Sequence, residues 1–172
     1  DPVAEDFKIL YLRDLRPNPD MTYHPIWGVS TKDFTSYTSL DELVPCGSKS
    51  EADAAIGTGS TIYNETDKTY YTFYTGHTPS QEVIMLATST DFSTWNRTLY
   101  LQGSDYGYDV KNFRDPFVFK GEDGMFHMIV STNKDGKGVL AELTSADLMT
   151  WTDKGVFLNN RWGRFYECAD IF

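Results

Sequence analysis

Three carboxylates recur at one phase of a repeat. Asp1-Pro2 and Asp115-Pro116 are matching pairs, and Glu167 follows Asp115 by 52 residues. Counting back 32 residues from Asp33, Asp91 and Asp147 reaches Asp1, Gly59 and Asp115 in turn. In a ring of repeated sheets, residues of equal phase converge on one axis. The spacing therefore predicts Asp1, Asp115 and Glu167 around one pocket. Converging acids repel and desolvate one another, which raises at least one pKa and marks acid–base sites. Glycoside hydrolysis needs such a set. One carboxylate is ionised to attack carbon or activate water, and another is protonated to release the leaving oxygen. Calcium is the competing use of carboxylates, but its loops carry ligands at close alternate positions. No Asp-x-Asp-x-Asp run with a distal Glu occurs, and no metal is expected. Asp41, Glu42, Glu51, Asp53 and Asp135 read as solvated charge in polar loops.

The elements that position these acids are strands. Val29–Tyr37, Ala87–Trp95 and Leu143–Trp151 align as an apolar residue, two small hydroxyl residues, any residue, Asp, an apolar residue, two short residues and an aromatic. The Asp positions are 58 and 56 residues apart. This pattern suits a strand ending in an Asp-braced turn, with the aromatic opening the next strand. Alternating runs lie between the copies, at Phe7–Leu12, Tyr70–Tyr74 and Phe126–Val130. Short strands repeating every ~57 residues predict an all-β chain of four-stranded propeller blades. Blade 1 falls at about 1–50, blade 2 at about 51–108, blade 3 at about 109–164, and the start of blade 4 at about 165–172. Propellers close with roughly four to eight blades. Further blades are therefore expected from removed segments or from another chain, and the opening at Asp1-Pro2 reads as a cut or processed start.

Composition narrows the classes. Aromatics at 15% and apolar residues at 40% argue against disorder. A net charge of −10 carries no basic footprint, which speaks against nucleic acid. No apolar run reaches the roughly 18 residues of a membrane helix. Cys46 and Cys168 are too few for a disulfide framework and read as reduced, partly buried thiols. Asn64-Glu65-Thr66 and Asn96-Arg97-Thr98 are glycosylation sequons, a motif that also arises by chance.

Four segments, in order, resemble the invertase–levanase family of glycoside hydrolases, family 32. Phe113-Arg114-Asp115-Pro116 is similar to its Arg-Asp-Pro motif, and Tyr166–Phe172 to its Glu-Cys-Pro motif, with Ala169 where Pro is usual. Trp27–Phe34 resembles the first-blade Trp-Gly-His-x-x-Ser-x-Asp-Leu segment. Thr58-Gly59-Ser60 resembles the Ser-Gly-Ser that opens the second blade. The resemblance implies a five-bladed propeller, of which this chain covers about three blades. It implies a retaining β-fructofuranosidase acting on sucrose, inulin or levan-type sugars, without a cofactor. By it, Asp1 is the nucleophile, Asp115 holds sugar hydroxyls in the transition state, and Glu167 is the acid/base. Arg114 orients hydroxyls or carboxylates, and Trp27, Thr58 and Ser60 line the substrate.

The chain departs from the family at Val3-Ala4, where Asn-Gly usually follows Asp-Pro, and at Gly57, where a Trp often stands. An inverting arabinosidase or xylosidase of the related family 43 and a non-catalytic carbohydrate-binding propeller are the competing readings. An oligo- or polysaccharide is the expected partner in each. Tyr23, His24 and Trp27 could form a sugar-stacking platform, and Arg161, Trp162 and Arg164 a leaving-group subsite. His77 and His127 read as structural, and Trp95 and Trp151 as core.

Overall fold

The computed structural model describes residues 1–14, 24–159 and 165–171. Among them are eleven strands: β1 (Phe7–Leu12), β2 (Ile26–Thr31), β3 (Thr38–Val44), β4 (Ala55–Asn64), β5 (Thr69–Thr78), β6 (Gln81–Ser89), β7 (Asn96–Gln102), β8 (Phe113–Lys120), β9 (Phe126–Lys134), β10 (Lys137–Ser145) and β11 (Thr152–Asn159). They form three antiparallel sheets, β1-β2-β3, β4-β5-β6-β7 and β8-β9-β10-β11. A short 3₁₀ turn, Gly103–Tyr106, leads from the second sheet towards the third.

The nine-residue repeat is a turn that closes the last hairpin of each sheet. Thr31, Ser89 and Ser145 are buried hydroxyls that hold Asp33, Asp91 and Asp147. Each Asp then accepts two backbone N–H groups from the residues two and three positions on. Donation from the Ser36 and then the Thr35 backbone N–H lowers the Asp33 pKa to about 2. The intervening Phe34, Phe92 and Leu148 take left-handed φ of 56°, 59° and 65°, an uncommon choice for a bulky residue that recurs in all three copies. The aromatic then starts the last strand. Trp151 is buried and donates to the Leu148 carbonyl at 3.3 Å.

Period-2 alternation along β5 packs the sheets together. Tyr71 and Phe73 join Phe113, Met128, Leu143 and Trp151 on the third sheet's side. Tyr70 and Tyr74 join Ile26, Val44, Ile56 and Phe92 on the first sheet's side. Each large side chain buried this way contributes about 1.5–3 kcal/mol. Phe73 meets Trp151 edge-on at 5.5 Å.

Asp53 is not a solvated loop acid. It is fully buried, accepts the Tyr74 hydroxyl at 2.8 Å and pairs with Arg97 Nη1 at 2.8 and 3.0 Å. Burial, and then the Asp53 charge, push the Tyr74 phenol far above its ordinary value.

The inner strands β4 and β8 both bulge, between Ile56 and Gly59 and between Arg114 and Phe117. Gly59 pairs with Tyr74 at the end of the first bulge, and Asp115, 56 residues on, lies within the second. A Cβ on Gly59 would run into the Phe73 carbonyl oxygen and come 2.7 Å from Tyr74 Cα. The second sheet therefore has no room for a side chain where the third carries Asp115. Gly59→Ala is expected to cost about 1–3 kcal/mol, read as a lowered urea midpoint at unchanged slope. An unmoved midpoint would show that the bulge relaxes freely.

Candidate active site

Asp115 stands at the bulge of β8 with φ of 54°. Its N–H donates to Thr75 Oγ1 at 2.9 Å, and Thr75 donates onward to the Thr58 carbonyl at 3.0 Å. This chain ties β8 to the bulge of β4 and turns the Asp115 carboxyl into an open cleft of about 300 Å³. The cleft is lined by Thr58, His77, Glu82, Arg114, Asp115, Glu167 and Cys168, with His24 at one side.

Arg114 organises the carboxylates. Its Nη1 donates to Glu82 Oε2 at 2.9 Å and Asn112 Oδ1 at 3.1 Å, and its Nη2 to Glu167 Oε1 at 3.1 Å. Its Nε lies 3.9 Å from Asp115 Oδ2, and its guanidinium sits 5.2 Å over the Phe165 ring. Burial disfavours the Arg114 charge, but Glu82 and then Glu167 more than offset it, and its pKa stands above the ordinary value.

Asp115 also anchors the segment that bears Glu167, by accepting the Cys168 N–H at 3.0 Å. Burial raises the Asp115 pKa. The Cys168 N–H and Arg114 oppose the rise, and the Glu167 and Glu82 charges add to it. Glu167 itself is well exposed, with 66% of its side chain open to solvent. The site thus has a sheltered carboxylate and an open one around a shared cation.

Asp1 does not join them. Its Oδ1 accepts Val3 N–H at 2.8 Å, Ala4 N–H at 3.1 Å and the Tyr70 hydroxyl at 2.8 Å, with Lys8 Nζ 4.0 Å from Oδ2. Tyr70 and Thr75 are five residues apart on β5, about 16 Å along the strand, so Asp1 braces a turn well away from Asp115. The reason is loop length. Tyr70 pairs with Ser89 and Phe126 with Ser145, nineteen residues on, whereas Phe7 pairs with Thr31, twenty-four on. The longer first hairpin breaks the count from Asp33. Asp115 and Gly59 stand eleven residues before Phe126 and Tyr70, and the same step from Phe7 falls ahead of residue 1. β1 is therefore the counterpart of the second strands β5 and β9.

Thr58, Arg114, Asp115 and Glu167 come together as expected from sequence, whereas Ser60 and Trp27 lie elsewhere. Ser60 Oγ accepts the Val118 N–H at 2.9 Å and joins β4 to β8. It faces a second cavity, of about 340 Å³, between β1 and β4, which no carboxylate lines among the described residues. Trp27 lies on β2 under the Arg13 guanidinium at 4.0 Å. Tyr23, Arg161, Trp162 and Arg164 fall outside the described residues.

His127 is structural, bonded to Glu142 at 2.7 Å and Asp123 at 3.1 Å. His77, read as structural from sequence, lines the cleft, its Nδ1 3.5 Å from Glu82 Oε1. Glu82 carries no sequence signal. Only the pairing of His77 with Glu82 across the β5–β6 hairpin brings both to the cleft. Cys168 is exposed and Cys46 half-buried, and both are free thiols.

Repeated antiparallel sheets around an open cleft of carboxylates and an arginine are the arrangement of a β-propeller-type domain. The chain belongs to the glycosyl hydrolases of family 32: the profile of that family's N-terminal domain matches residues 14–172. No curated protein sequence matches. Solved structures agree in fold. Fructan 1-exohydrolase IIa from Cichorium intybus superposes with a TM-score of 0.80 at 18% identity, over 95% of this chain and 32% of that one. A fructofuranosidase from Schwanniomyces occidentalis, complexed with fructose, has a TM-score of 0.75 at 19% identity, over 98% and 34%. The family-32 β-fructofuranosidase of Bombyx mori has a TM-score of 0.76 at 18% identity, over 98% and 36%. The chain spans about a third of the length of these structures.

Proposed function

We propose that this chain supplies three consecutive blades of a five-bladed propeller that hydrolyses β-fructofuranosidic bonds. The observation that carries the reading is Arg114, whose Nη2 bonds Glu167 while its Nε adjoins Asp115. One guanidinium thereby gathers two carboxylates 52 residues apart in sequence around one cleft. Glu167, open to the cleft mouth, donates a proton to the leaving oxygen. Asp115, sheltered and backed by Arg114, holds sugar hydroxyls as positive charge develops on the ring. Family membership and the fructan- and fructoside-cleaving neighbours supply the substrate class.

Retention by double displacement requires a nucleophilic carboxylate about 5–5.5 Å from Glu167. Asp1, the nucleophile implied by resemblance, is spent on Val3, Ala4 and Tyr70 and receives no role in this reading. The test is to incubate the protein with sucrose, inulin and levan, follow fructose release, and trap the intermediate with a mechanism-based fructosyl label. Fructose release with retention and a trapped fructosyl label is expected. Sugar binding by calorimetry without any release would leave a carbohydrate-binding propeller instead. Release with inversion and no trapped intermediate would remove the retaining mechanism.

A further inference from the structure

We propose that Glu82 is a positioning residue that holds Arg114 off Asp115 and so keeps the Asp115 carboxylate available to substrate. This rests on the fructoside-hydrolase reading above and extends it to a residue on the second sheet. An arginine beside a carboxylate tends to close into a two-bond fork. Here it does not: Arg114 Nε stays 3.9 Å from Asp115 Oδ2, beyond hydrogen-bond length. The hold is on Nη1, which is engaged by Glu82 at 2.9 Å and by Asn112 at 3.1 Å.

Glu82 is itself rigidly placed. It stands near the start of β6, where its N–H donates to the Val110 carbonyl at 3.0 Å, and His77 faces its other oxygen at 3.5 Å. Both side chains of the pair are sheltered, at 15% and 14% exposure, so water competes weakly for the bond. The contact crosses from β6 of the second sheet to β8 of the third and ties the guanidinium to both. With Nη1 pinned, Nη2 is aimed at Glu167. Asp115 Oδ2 is left to the Cys168 N–H and to a sugar hydroxyl.

Glu82 also sets charge. The groups facing Asp115 are Arg114 on its own strand, Glu82 and His77 from the β5–β6 hairpin, Glu167 and Cys168 from the last described segment, and His24 before β2 at one side. Removing the Glu82 charge leaves Arg114 less balanced and favours ionised Asp115. The acid limb of the pH–rate profile, where activity falls as Asp115 takes up a proton, therefore moves to lower pH.

The test compares Glu82→Gln and Glu82→Ala with the unaltered protein on sucrose or inulin. Glu82→Ala is expected to lower kcat by about 10²-fold, the scale of a misplaced catalytic group, with a smaller change in KM. Glu82→Gln, which can still accept the Arg114 bond, is expected to retain more of kcat but to shift the acid limb downward. Independently of activity, the Arg114 side-chain resonances should show hindered rotation about Cζ–Nη1 that is lost in Glu82→Ala. Unchanged rotation, or an active protein whose kcat and acid limb do not move in either variant, overturns the proposal. If the unaltered protein releases no fructose, the hydrolase reading fails, and the rotation measurement still decides whether Glu82 holds Arg114.

Discussion

Glu167→Ala is expected to lower turnover on unactivated fructosides by about 10²–10⁴-fold, the usual share of a general acid. The loss should depend on the leaving group. A sugar alkoxide needs a proton as the bond breaks. A good leaving group does not, and with such a substrate the first step should be nearly restored. Stability should hardly change, because the Glu167 side chain is 66% exposed and its contact is Arg114 Nη2 at 3.1 Å. The measurement is kcat on sucrose beside kcat on an activated aryl or fluoride donor, with a melting curve for each protein. Near-unaltered turnover on sucrose, or an equal loss on both donors, would remove Glu167 as the acid.

Asp115→Asn is the second large effect, with a loss of about 10²–10³-fold, the scale of a preorganised electrostatic partner. Asparagine is the informative substitution because Asp115 sits at φ of 54°, a region that asparagine tolerates better than most residues. It also keeps an oxygen for the Cys168 N–H. The negative charge is what disappears. The defect should therefore persist with activated donors, which separates it from Glu167→Ala. In the unaltered protein, burial raises the Asp115 pKa. An acid is active here only when ionised, so a raised pKa moves the acid limb upward. Activity should fall with decreasing pH before an ordinary aspartate would be protonated. An acid limb at ordinary aspartate values, or full activity in Asp115→Asn, would mean that Asp115 carries no charge-dependent role.

Much of the architecture was legible in short stretches. The nine-residue repeat marks three turns with the same Asp-to-backbone bonding, and the alternating runs lie within β1, β5 and β9. These features depend on neighbours a few residues away, so local pattern suffices. Asp115 was legible from the phase of the repeat, and Arg114 and Thr58 from the resemblance of their segments to the family's motifs. Asp53 was misread because a polar loop looks solvated until Tyr74 and Arg97, 21 and 44 residues away, close over it.

The sequence by itself determined the repeat, the strand content and the braced turns. Each of these is set by contacts between near neighbours or by one strand's alternation. Only the tertiary structure decided which charges meet. Five extra residues in the first hairpin leave its strands intact yet shift every position counted through it, and so remove Asp1 from the cleft. Glu82 reaches Arg114 from another sheet, 32 residues away, in a contact that no spacing along the chain encodes.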